Sequence, residues 1–135
     1  MLKTLLRIFG GKFGFGISIP LGSFYKEPQK KMAIKIKLGV VFKRITPEMI
    51  RVMEALTKIW EVNLLSEPTI TSAADGKHMD TSLHFKDQAL DIRINDIPTG
   101  QHAEILKNLK DALGLDYDVV LEKDHFHIEF QPKVA

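Results

Sequence analysis

Apolar and polar positions along the chain fall into distinct periods. Ile34, Ile36, Leu38 and Val40 alternate with Lys35 and Lys37, which predicts a strand with one wet face. Thr46, Pro47 and Glu48 read as an N-cap, a first-turn proline and an acidic first turn. Met49, Val52, Met53, Leu56, Ile59 and Trp60 then recur at helical spacing, so a helix is expected to about Glu61, with these residues in the core. Positions 62–65 and 69–71 are strand-like, with Pro68 as a bend or edge between them. A polar loop over 72–81 follows. Ala89, Asp91 and Arg93 alternate with Leu90 and Ile92, as a half-buried strand would. After a loop at 95–98, Thr99 is expected to cap a second helix carrying Ile105, Leu106, Leu109, Ala112 and Leu113, with Gly114 ending it. Strands are expected at 117–121 and 125–130. The class is α+β: a mostly antiparallel sheet with helices packed to one side.

Residues 1–31 read differently. Leu2, Leu5, Leu6 and Phe9 have helical spacing; Phe13, Phe15, Ile17 and Ile19 alternate with Lys12, Gly14, Gly16 and Ser18. Lys3 and Arg7 resemble the start of a secretory signal, but Gly10-Gly11-Lys12 interrupts any apolar region behind them. The expectation is a basic, glycine- and aromatic-containing N-terminal extension that packs on the domain or a partner, or attaches to a membrane surface or to a virion or assembly, followed by one domain over 32–135. No apolar run approaches the ~18–20 residues needed to span a bilayer.

Charge changes the picture little. The net charge is +2. Residues 1–37 hold eight Lys/Arg and one Glu, net +7, which leaves −5 for the rest. Those basic residues are spread without a tight patch, so no nucleic-acid partner is expected. The chain has no cysteine, so any metal would rest on histidine and carboxylate.

The candidate chemistry lies in two stretches. His84 precedes Asp91 by seven residues, an odd separation that would place them on opposite faces of a straight strand. The chain must therefore bend between them, around residues 86–88. Further on, Asp124, His125 and His127 open the last strand, with both histidines on one face while Phe126, Ile128 and Phe130 pack on the other. His84, Asp91 and one of these two histidines offer two nitrogens and a carboxylate, the kind of set that holds a catalytic zinc and leaves a fourth position open.

Ser82-x-His84-x6-Asp91, with Ala89 between, and then Asp124-x-x-His127 resemble the zinc peptidases of the D-alanyl-D-alanine carboxypeptidase / L-alanyl-D-glutamate endopeptidase family. The resemblance covers roughly residues 40–131. It is nearest to short phage and prophage members, through Thr71-Ser72, Asp75-Gly76-Lys77-His78 and Ser82-Leu83-His84. It implies a Hedgehog/DD-peptidase-like α+β fold, zinc on His84, Asp91 and His127, and hydrolysis of a peptide bond in peptidoglycan stem peptides. Asp124 would be the general base, with His125 orienting it or meeting the reaction intermediate. Two positions depart from the family pattern. The family's glycine is Asp87 here, and the arginine that many members carry after the Thr-Ser strand is absent. Lys77 or His78, with Arg93 third, is then the expected cation facing developing negative charge. Ser82 is expected to hydrogen-bond Asp91 or the turn. The alternative expectation is a virion or assembly protein that keeps the fold without catalysis.

Overall fold

The computed structural model describes residues 31–134; the expected elements at positions 1–30 lie outside them. The described elements are β1 (Lys35–Ile36), α1 (Pro47–Val62), β2 (Thr69–Ser72), a 3-10 turn (Leu83–Lys86), β3 (Ala89–Arg93), a second 3-10 turn (Thr99–Gln101), α2 (His102–Leu113), β4 (Tyr117–Leu121) and β5 (His125–Phe130). The five strands form one sheet in the order β1-β2-β3-β5-β4. The β1–β2 pair is parallel and every other pair antiparallel, so the fold is α+β with a mostly antiparallel sheet.

Helix α1 starts as its sequence dictates. The Thr46 side chain accepts a hydrogen bond from the Met49 N–H, and Pro47 occupies the first turn, where its missing N–H costs nothing. Met49, Val52, Leu56 and Trp60 turn inward to meet Ile105, Leu109 and Leu113 of α2. Leu90, Ile92, Val119, Phe126 and Ile128 of the sheet complete this core. Those strand residues alternate with Asp91, His127 and Glu129. The opposite sheet face is thereby left to polar side chains.

Three expectations about elements are corrected. β1 is two residues long rather than spanning 34–40, because Gly39 at φ 93° and a Val40 N–H to Lys37 carbonyl bond turn the chain, leaving Leu38 98% exposed. Positions 62–65 are no strand. Val62 ends α1, Leu64 adopts φ 55°, and the Leu65 N–H returns to the Trp60 carbonyl, so this apolar run is a helix exit. Thr99 does not cap α2. It opens the second 3-10 turn, and α2 begins at His102 without a side-chain cap. There the His102 ring is 3.0 Å from the Ile97 carbonyl and lies edge-on to Phe126, bracing the helix start.

The bend expected between His84 and Asp91 is present. Ser82 caps the first 3-10 turn by accepting from the His84 N–H, the turn alternative of its two expected roles. Asp87 ends that turn in the left-handed region (φ 58°, ψ 32°), where aspartate is better tolerated than bulkier residues and glycine better still. Its carboxylate is buried. Arg44 donates to Oδ2 at 3.0 Å, while Oδ1 has no hydrogen-bond partner among the described residues. Thr46 also donates to the Asp87 carbonyl, tying the start of α1 to the turn that carries His84. The charge at Asp87 is therefore met by Arg44. That pair is screened on one side, because the Arg44 side chain is 75% exposed.

Candidate metal centre

The site is built on the antiparallel pairing of β3 and β5. Asp91 stands opposite His127, Arg93 opposite His125, and Ala89 opposite Glu129, so these side chains share one sheet face. On the other flank of β3, Ile70 pairs with Ile92 and Ser72 with Asp91, a bulge at Thr71 that lets the Thr71 hydroxyl donate to the Asp91 carbonyl. The 3-10 turn Leu83–Lys86 packs against β3 and β5 and drops His84 onto the same face. This cover explains why β3 is more than half-buried: Asp91 and Ala89 are buried as well as Leu90 and Ile92.

His84, Asp91 and His127 come together as the spacing and the resemblance anticipate. Asp91 Oδ1 is 3.2 Å from His84 Nε2 and 2.9 Å from His127 Nδ1, and those two nitrogens are 3.4 Å apart. A tetrahedral ion with bonds of about 2.0–2.1 Å needs ligand atoms roughly 3.3–3.4 Å apart. The three donors already approximate one face of such a tetrahedron. His84 is 2% exposed, and its Nδ1–H donates to the Ala73 carbonyl at 2.6 Å, which fixes the tautomer and leaves Nε2 free to ligate. The group can hold a metal ion.

The other expected residues lie at graded distances from this triangle. His125 Nε2 faces Asp91 Oδ1 at 3.6 Å and Glu122 at 3.6 Å. Its Nδ1 is 2.7 Å from Asp124 Oδ1. Asp124 is a largely exposed side chain whose hydrogen bond goes to His125 and to none of the three donors, so it reaches the centre through that ring. His78 stacks on His84, ring centroids 4.0 Å apart and nearly parallel, with Nε2 3.2 Å from the Ser72 hydroxyl. Lys77 is exposed at the lip of a depression of about 480 Å³ lined by His78, Ser82, Glu129 and Gln131. Arg93 shares the sheet face of Asp91, and no hydrogen bond ties its side chain to the centre.

Sequence reasoning missed Glu129. Its carboxylate is 3.0 Å from His127 Nε2, so His127 lies between two acids. The signal was available: Glu129 has the same strand parity as His125 and His127.

Electrostatics in the metal-free chain follow from this packing. Burial opposes the Asp91 charge, but the hydrogen bonds from His127 and His84 and the nearby His84 and His125 rings outweigh it and hold its carboxyl well below the usual range. The bond to Asp91 pushes His127 up to about 9 against the opposing effect of burial, and Glu129 adds to the rise. The hydrogen bond from His125 lowers Asp124.

These shifts predict how the metal-free domain responds to pH. His127 is raised from 6.5 to about 9 on folding, so its stabilising contribution is complete below 6.5 and fades as pH rises through about 9. Asp91 is depressed below 3.8, so its contribution is complete above that value and fades in stronger acid. Urea unfolding with chelator present should give a plateau between these limits. Stability should then decline by up to roughly 1.4 kcal/mol per pH unit between 6.5 and about 9 and level off above. His127→Gln should flatten that alkaline decline; an unchanged decline would show that another group causes it.

Compared with known protein families and with curated proteins, the chain matches none.

Proposed function

We propose that the chain is a zinc-dependent peptidase that hydrolyses a peptide bond in bacterial cell-wall stem peptides, in the manner of phage or prophage wall-degrading enzymes. The observation that carries the reading is the donor triangle of His84 Nε2, Asp91 Oδ1 and His127 Nδ1. Its edges suit a tetrahedral ion, and its members occupy the positions that the family resemblance names. An L-alanyl-D-glutamate or a D-alanyl-D-alanine bond fits equally.

His84, Asp91 and His127 would hold the ion. Bound there, zinc would polarise the scissile carbonyl and lower the pKa of water. The chain's own residues handle the proton. Asp124 holds the Nδ1–H of His125, which leaves Nε2 as an acceptor directed at the Asp91 corner of the triangle. The Asp124–His125 pair takes a proton from the attacking water and returns it to the leaving amine. The substrate lies in the depression bounded by Lys77, His78 and Ser82. His78, already stacked on His84, and Lys77 present positive charge or N–H groups to the oxygen on which negative charge develops.

Incubating the zinc-loaded chain with purified peptidoglycan tests this reading. New amino termini at one position of the stem peptide, suppressed by chelator, are expected. No new termini with zinc, cobalt or manganese would overturn it in favour of a catalytically silent assembly protein.

A further inference from the structure

The residue left without a role is Glu129. It lies one strand repeat beyond His127 on the same face, opposite Ala89 across β3 and Asp118 across β4. Its side chain is 23% exposed and borders the depression beside the metal centre. Its Oε2 is 3.0 Å from His127 Nε2. His127 faces His84 and Asp91 through the other nitrogen, Nδ1.

We propose that Glu129 is a positioning residue for the metal: it accepts the Nε2–H of His127 and thereby commits that ring to ligate through Nδ1. This rests on the metal-centre reading above. An imidazole has two nitrogens of similar basicity, and the one that holds a hydrogen is decided by whichever acceptor is near it. For His84 that acceptor is the Ala73 carbonyl, which presents Nε2 to the centre. For His127 it is Glu129, which presents Nδ1. The two ligand rings are thus locked in opposite tautomers, one by backbone and one by a carboxylate. A ligand ring locked by a carboxylate is also the more strongly donating of the two. The small Ala89 opposite Glu129 leaves the carboxylate free to turn along its own strand toward His127.

The test is zinc affinity, measured by competition with a chromophoric chelator on the full chain. Glu129→Ala should weaken zinc binding by about 10–100-fold. Glu129→Gln, which keeps an acceptor oxygen but not the charge, should recover part of that loss. In ¹⁵N-histidine spectra of the zinc-loaded parent, His127 should carry its proton on Nε2 and the metal on Nδ1. Parent-like affinity in Glu129→Ala, or zinc on Nε2 of His127, would overturn the proposal while leaving the metal centre standing. A parent that binds no zinc would remove both. Should the alanine variant fail to fold, the position of the His127 proton in the parent decides alone.

Discussion

Replacing Asp91 with alanine is expected to abolish divalent-metal binding while leaving the α+β core folded. Asp91 Oδ1 makes the two shortest edges of the triangle, within 3.2 Å of both ligand nitrogens. It is also the only carboxylate of the three donors, so its loss leaves a two-nitrogen site that cannot supply the third protein ligand a catalytic zinc requires. The core does not depend on it: Leu90 and Ile92 point into the helices whichever residue stands between them. A smaller effect on the metal-free chain is expected as well. His84 and His127 would lose a buried acceptor, a deletion worth about 1–3 kcal/mol where the orphaned groups remain desolvated. Metal analysis after dialysis should show background zinc in Asp91→Ala and about one ion in the parent. His84→Ala should match the variant. Full occupancy in both would remove the assigned ligands.

The second large effect is on turnover rather than on metal. Asp124→Asn should retain zinc and lose roughly 10²–10⁴-fold in rate, the usual worth of general acid–base help. The reason is the tautomer of His125. The Asp124 carboxylate can only accept, so it holds a proton on Nδ1 and leaves Nε2 able to take one. An asparagine amide can donate to Nδ1 instead, which favours hydrogen on Nε2 and blocks that acceptor. His125→Ala should fall by a similar factor. If Asp124→Asn works as fast as the parent, the proton passes elsewhere. Glu122, 3.6 Å from His125 Nε2, is then the nearest alternative. If parent and variant both hold zinc and neither cuts wall peptide, the assembly-protein reading prevails.

The legible parts of the sequence were those where local chemistry and tertiary role agree. Thr46-Pro47 starts α1 because capping is a property of the first turn alone. The parity of His84 and Asp91 demanded a bend, and the 3-10 turn ending at Asp87 supplies it. His84, Asp91 and His127 were readable from spacing together with the family resemblance. The illegible parts were decided by contacts that no local pattern records. Ile36 and Leu38 alternate like a strand, yet a glycine turn ends β1 after two residues. Asp87 departs from the family's glycine, and no local pattern records that Arg44, 43 positions earlier, meets its charge. Asp124 reads as a candidate base, and no spacing records that its hydrogen bond goes to His125, whose other nitrogen faces Asp91. Glu129 was visible by parity and carried no motif to draw the eye.

The most direct measurement is anomalous scattering at the zinc edge from crystals of the full chain grown with zinc. One peak is predicted, within about 2.0–2.2 Å of His84 Nε2, Asp91 Oδ1 and His127 Nδ1 together. No peak at those three atoms, or a peak held instead by Glu122, Asp124 and His125, would contradict the account.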